Sequence, residues 1–160
     1  MTFKNHLFWI IAFIGLVADQ ITKYWTVQAL ALGETVPIWE GVFHFTFVTN
    51  TGAAFSLFSD NGTWLRWLSL LVSLGLMAFA WLGPRLNRLE QVGYGFILGG
   101  ALGNGIDRFA TGEVVDFLDF RLIRFPVFNV ADICINIGIL CILIAAFTLP
   151  PDHPGDRRPS

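Results

Sequence analysis

The sequence predicts a membrane all-α protein with a small β element. It would have four transmembrane helices, cytoplasmic N- and C-termini, a small extracytoplasmic sheet and an amphipathic external loop. Three observations lead there. The 160 residues are 54% hydrophobic and only 14% charged, against roughly a quarter charged in ordinary soluble domains. The stretches Leu7–Val27, Trp64–Leu82, Val92–Ala110 and Phe128–Leu149 are each near the ~20 residues that a bilayer requires. Three of these stretches also carry a carboxylate, which is costly in hydrocarbon and which spanning alone does not call for.

In the first helix, Lys4 precedes an apolar run, Leu7–Ala18, and Ala29-Leu30-Ala31 mimics a cleavage site of a secretory signal. Asp19, Gln20 and Lys23 lie between run and site, which a plain signal does not need, so an uncleaved helix is expected. The second helix has Arg66 as its only charge, and Trp64, Trp67 and Trp81 near its ends read as interfacial belts. The third holds Gly95, Gly99 and Gly103 at four-residue spacing, a small-residue face for close helix packing. Gly100 and Gly103 also suit close approach of backbone to a ligand. In the fourth, Asn129, Asp132 and Asn136 recur at spacings of three and four, which places them on one helical face. Cys134 and Cys141 lie two turns apart, about 10 Å, too far for a disulfide, and read as small packing residues.

Lys4, Arg85, Arg88, Arg157 and Arg158 fall on one side, and the Gln28–Thr63 loop holds no Lys or Arg. This bias sets both termini in the cytoplasm, although Arg121 and Arg124 in the second external loop weaken it. One integral-membrane domain is expected over residues 1–150, with a Pro-rich, disordered tail over 151–160. The net charge of −2 and the lack of a basic run before the tail leave no basis for a nucleic-acid partner.

Gln28–Thr63 is too long for a structureless connection in a compact domain. Phe43, Phe45 and Phe47 alternate with His44 and Thr46, a strand pattern with one apolar face. Thr49-Asn50-Thr51-Gly52 supplies a turn, and Ala53–Phe58 is apolar again. A small sheet on the outer membrane interface is expected. The second loop, Thr111–Val127, reads as short and amphipathic, with Glu113, Asp116 and Asp119.

With this orientation the first and third helices run outward, and their polar residues come late. Asp19 lies ~18 Å from Leu7 and Asp107 ~22 Å from Val92, whereas Asp132 is ~6 Å from Phe128 on an inward-running helix. Three helices thus bring polar groups to one depth, which implies a shared site. Asp19 and Lys23 are spaced for an ion pair. Asn104 and Arg108 share a face and offer donors to a carbonyl or a carboxylate, although spacing leaves structural bridging by Arg108 equally open.

Two carboxylates sharing a proton can activate water and protonate a leaving group, because like charges held close push one pKa up. Asp116 and Asp132 are candidates, Asp19, Asp107 and Asp119 compete, and spacing does not choose among them. Asp119 reads as a solvated loop charge. His6, His44 and His153 are scattered, with no zinc spacing. The Glu113, Asp116 and Asp119 cluster is a weak cation candidate, and no G-x-S-x-G elbow occurs. Ser56 and Ser59 have no evident tie to Lys23. Asn61-Gly62-Thr63 fits a glycosylation sequon, relevant only in a eukaryotic secretory setting. A proton relay would need polar residues at successive depths. An assembly subunit packing through its glycines leaves the aspartates unexplained.

DQITK at Asp19–Lys23, NTGAAF at Asn50–Phe55, GGALGNGIDR at Gly99–Arg108, VVDF at Val114–Phe117 and FNVAD at Phe128–Asp132 occur in that order. As a set the chain resembles the lipoprotein signal peptidases, the type II signal peptidases of bacteria, from end to end. The resemblance implies an aspartic endopeptidase with Asp116 and Asp132 as its dyad. It further implies that Asp19, Lys23, Asn50, Gly52, Gly100, Asn104, Arg108, Asn129 and Ala131 shape the site and bind substrate, with no metal or cofactor. The implied substrates are prolipoproteins, cut before a diacylglyceryl-modified cysteine at the outer face of the bacterial inner membrane. Membrane lipids and globomycin-type inhibitors are the other implied ligands, and a monomer is expected.

Overall fold

The structure is a computed structural model that describes residues 4–52, 63–123 and 125–148. Ala53–Phe58, Ser59, Asn61-Gly62, the Thr63 side chain, Arg124 and the tail with His153, Arg157 and Arg158 lie outside the described residues. The NTGAAF stretch is therefore described only through Gly52. In chain order the elements are α1 (His6–Ala29), β1 (Thr35–Trp39), β2 (Phe43–Asn50), α2 (Thr63–Leu82), α3 (Arg88–Ala110), β3 (Val114–Phe120), a 3-10 turn (Arg121–Ile123) and α4 (Val130–Thr148).

The four expected helices form close to their expected bounds. α1, α2 and α4 are long and apolar enough to cross a membrane. α3, which carries the glycines and the polar pair Asn104 and Arg108, falls below that apolarity but lies against α1, α2 and α4. Its glycines make this closeness possible. A Cβ on Gly99 would come within 2.8 Å of the Ala12 carbonyl on α1, and one on Gly100 would run into the Ala131 carbonyl on α4. A Cβ on Gly103 would strike the Asp19 carboxylate. Gly100 and Gly103 therefore make room for neighbouring protein, in keeping with the packing reading of the glycine face. Phe8, Ala12, Ala80 and Leu98 close a buried apolar core, while large side chains such as Phe13, Leu71 and Phe147 stay exposed, as lipid-facing residues do.

The expected sheet forms but is larger than the sequence suggests. Its order is β1-β2-β3, antiparallel throughout. β1 escapes sequence reading because of Pro37, which an edge strand tolerates. β3 replaces much of the expected amphipathic external loop. Its alternation puts Asp116 on one face and Asp119 on the other, so neither face looks apolar. Phe128 pairs back onto β3, donating to Leu118 O at 3.1 Å and accepting from Leu118 N at 2.8 Å.

At the far end from these polar loops, Asn5 ties α1 to the α2–α3 connection. Its amide donates to Ala80 O at 2.9 Å and Pro84 O at 3.1 Å and accepts from Leu86 N at 2.9 Å. Asn5 also sits in a left-handed conformation, φ 54°. Asn5→Gly keeps that backbone accessible but strips the amide, so a loss of about 2 kcal/mol is expected. A thermal melt in detergent should fall by roughly 4–8 °C, with cold-assayed function intact; an unchanged melting point would show the knot to be idle.

Candidate active site

The first turn of a helix leaves N–H groups with no intrahelical acceptor. At the start of α4, side chains answer them. Asp132 N donates to Asn129 Oδ1 at 3.0 Å and Asn129 N donates to Asp132 Oδ2 at 3.2 Å. This reciprocal pair is a capping box with Asp in the usual Glu position. Asn129 therefore caps the helix rather than sharing its face with Asp132 and Asn136, which corrects the spacing argument. Asn136 does lie within α4, donating to the Asp132 carbonyl at 2.8 Å. Ala131, fully buried, donates its N–H to Asp19 Oδ1 on α1 at 2.8 Å.

Lys23, only 3% exposed, binds these groups together. Its ammonium lies 2.9 Å from Asp19 Oδ2 and 2.8 Å from Asp107 Oδ2, and it donates to Asn104 Oδ1 at 2.9 Å. Asn104 in turn donates to Asp132 Oδ1 at 2.9 Å. The late residues of α1 and α3 thus meet the first turn of α4, so the common-depth expectation corresponds to direct contact.

β3 brings in Asp116. Its Oδ1 accepts from Asn129 Nδ2 at 2.6 Å and its Oδ2 from Asn50 Nδ2 at 3.1 Å. Asn129 is therefore bonded to both Asp116 and Asp132. Asn50 Oδ1 accepts from Gly52 N at 2.9 Å, and Gly52 O accepts from Arg108 Nη2 at 3.1 Å, which fastens the end of β2 to α3. Arg108 Nε is buried with no hydrogen-bond partner among the described residues. Asp116, Asp132, Asn50, Asn104 and Arg108 line an open cavity of about 850 Å³ whose other walls are largely apolar, including Phe125 and Ile137.

Burial pushes the Asp116 carboxyl up to about 6, against hydrogen bonds from Asn50 and Asn129 that favour its charged form. The negative charge of Asp132 pushes the same way as burial. Asp119 is not the solvated loop charge that was expected. It is 8% exposed, accepts from Thr46 Oγ1 at 2.7 Å and pairs with Arg121 at 2.8 Å. Burial would raise its carboxyl, but the bonds from Thr46 and Arg121 outweigh that and hold it below the usual range.

Two members of the network had no assigned role in the sequence reading. Asp107 appeared there as a marker of depth and as a competitor; it shares Lys23 and accepts from Val115 N at 3.3 Å. Gln20 donates to Asp107 Oδ1 at 3.1 Å and to Asp19 Oδ2 at 3.2 Å. The signal for both was available: polar residues beside Asp19 and Arg108 inside apolar helices. Among the described residues no three of His, Cys, Asp and Glu stand together as ligands for an ion.

Residues 11–148 match the family model described as signal peptidase (SPase) II. A lipoprotein signal peptidase of Cyanothece sp. is 64% identical, covering 100% of this chain and 95% of its own length. One from Nostoc sp. is 68% identical, covering 94% and 96%. A bacterial membrane enzyme solved by the in meso method at 2.3 Å resolution superposes with a TM-score of 0.79 at 34% identity, covering 86% of this chain and 85% of its own.

The Asp116 environment makes a signed prediction. Difference infrared titration of its carboxyl stretch, with Asp116→Asn as the blank, should give a midpoint near 6. Asn50→Ala removes a bond to the charged form, so the midpoint should move upward. A downward or absent shift would contradict the hydrogen-bond assignment.

Proposed function

The chain belongs to the signal peptidase II family, and we propose that it works as an aspartic endopeptidase with Asp116 and Asp132 as its catalytic pair. High identity over nearly the full length of the lipoprotein signal peptidases supports removal of signal peptides from prolipoproteins. The observation that carries the residue assignment is Asn129, which bonds both carboxylates at the wall of one cavity. Two carboxylates from separate elements then face the same space, as water activation and carbonyl protonation require.

The bond to be cut is the one before a diacylglyceryl-modified cysteine. The reacting form carries one proton on the pair, placed here on Asp116; burial and the negative charge of Asp132 push its carboxyl up to about 6. Asp132 takes a proton from water as the water oxygen attacks the scissile carbonyl carbon. Asp116 gives its proton to the carbonyl oxygen, forming a gem-diol. As the carbon–nitrogen bond breaks, Asp132 passes its proton to the departing cysteine nitrogen and Asp116 recovers one from a gem-diol hydroxyl. Both carboxyls return to their starting states, and one water has been consumed.

The apolar walls of the cavity suit the acyl chains and the signal helix of the substrate, and globomycin-type inhibitors would occupy the same space. α3, flanked by three other helices, serves as the fourth span. The Lys and Arg bias supports termini in the cytoplasm and a site toward the outer face of the bacterial inner membrane. The described chain works as a monomer among membrane lipids.

The test is cleavage of a diacylglyceryl-modified prolipoprotein by purified protein in detergent. Asp116→Asn and Asp132→Asn should each lower kcat by ~10²–10⁴-fold, while Glu40→Gln, an exposed loop change, should match the parent. Near-normal turnover in either aspartate variant, with its fold intact, would remove that residue from the pair.

A further inference from the structure

β2 and β3 do not pair in one register. Phe45 faces Leu118, but the next recorded pair is Val48 with Asp116. Two residues of β2, Thr46 and Phe47, thus stand against Phe117 alone, which is a β-bulge. The consequence follows from the two-residue period of a strand. Had the first register continued, Phe47 would oppose Asp116, and Asn50, three residues on, would point to the opposite face. The extra residue shifts the pairing so that Asn50 opposes Val114 and lies diagonal to Asp116 on the same face. The bulge is therefore what lets Asn50 reach Asp116 Oδ2 and carry Gly52 to Arg108.

A closed polar ring sits on the other face of the sheet at the bulge. Thr46 Oγ1 donates to Asp119 Oδ2 at 2.7 Å, and so accepts from Thr35 Oγ1 at 3.0 Å. Arg121 completes the circuit, its Nε donating to Asp119 Oδ2 at 2.8 Å and its Nη2 to Thr35 Oγ1 at 3.3 Å. The ring takes one member from each strand, and Thr46 belongs to the bulge itself. None of these side chains lines the cavity. Four polar groups that touch no substrate space are joined where the register changes.

We propose that the Thr35–Thr46–Asp119–Arg121 ring is a register lock, and that Thr46 and Asp119 are positioning residues that hold Asn50 and Asp116 on one face. This rests on the catalytic reading of Asp116. Without the Thr46 hydroxyl, β2 loses the bond that pins its extra residue, and the Asn50 amide drifts from Asp116.

The test compares Thr46→Val, nearly isosteric but without the hydroxyl, with Thr46→Ser, which keeps it. In the prolipoprotein assay Thr46→Val should lower kcat by ~10–10²-fold, the scale of a small misplacement near reacting groups, with KM within about twofold of the parent. Its Asp116 infrared midpoint should rise in the direction that Asn50→Ala gives, and Thr46→Ser should restore both. Wild-type kcat and midpoint in Thr46→Val would overturn the lock. A lowered kcat with an unmoved midpoint would also overturn it, as plain destabilisation. If Thr46→Val does not fold, Arg121→Gln carries the same readouts, because Arg121 is the ring's most exposed member; it should lower kcat several-fold and raise the midpoint. Failure of the catalytic reading is separable, because it would show as an active Asp116→Asn, whereas the lock is read from the Asp116 midpoint in Thr46→Val.

Discussion

The start of α4 is the constraint on which the rest depends. A helix that begins within or beside hydrocarbon must have its leading N–H groups satisfied by protein, because each orphan costs several kcal/mol there. Asn129 and Asp19 supply those acceptors, and Asp132 returns a bond to Asn129 N. Each solution imports a new obligation. Asp19 is fully buried and needs a cation, which Lys23 provides one turn along the same helix. Lys23 is itself buried and takes Asp107 and Asn104 as further partners. Asn104, oriented by Lys23 through its Oδ1, aims its amide at Asp132. The candidate catalytic carboxylate is thus reached from α1 through a chain of satisfied polar groups, and removing one partner of such a buried pair costs about 3–5 kcal/mol.

This interdependence explains why α3 is rich in glycine at the level of the site. Asp19 can cap α4 only if α1 and α4 both lie close against α3. Side chains at Gly99, Gly100 and Gly103 would hold α1, α4 and the Asp19 carboxylate away, respectively. The glycines do not touch the cavity, yet they set its dimensions. Packing and chemistry are not separable layers here: the small-residue face that lets helices associate in lipid also sets the reach of Asp19 to Ala131.

Much of this was legible in the sequence, and the misses have a common cause. Helices were visible because long apolar runs are unambiguous at bilayer length, and the shared depth of Asp19, Asp107 and Asp132 followed from helical rise once alternate helices were taken to run in opposite directions. What could not be read was structure set by a partner strand or by a cap. β3 hid because Asp116 and Asp119 put a carboxylate on each of its faces. The alternation of Phe43, Phe45 and Phe47 suggested one apolar face, but the bulge makes Thr46 and Phe47 both buried and breaks the pattern. Asn129 looked like a helical residue because spacing cannot distinguish a cap from a first turn. Asp119 looked solvated because Thr46 reaches it only through the pairing of β2 with β3, and Arg121 only by folding back from the turn that follows β3. The choice of Asp116 over Asp107 or Asp119 came from family resemblance; physically, the difference is that Asp116 alone of the three accepts from both Asn50 and Asn129.

The relative placement of Asp116 and Asp132 is fixed chiefly by backbone. Phe128 bonds to β3 through both its N–H and its carbonyl, the latter accepting from Phe117 N at 3.0 Å as well as from Leu118. Phe128 is the residue before the Asn129 cap, so the strand that carries Asp116 is stitched directly to the start of the helix that carries Asp132. Side-chain rotamers then have little left to decide: Asn129, held between strand and helix, meets Asp116 with its amide and Asp132 with its backbone. A carboxylate pair set this way is oriented on folding, before any ligand enters the cavity. The site therefore resists being moved piecemeal. Any change that slips β3 against Phe128 displaces Asp116 and the cap of α4 together.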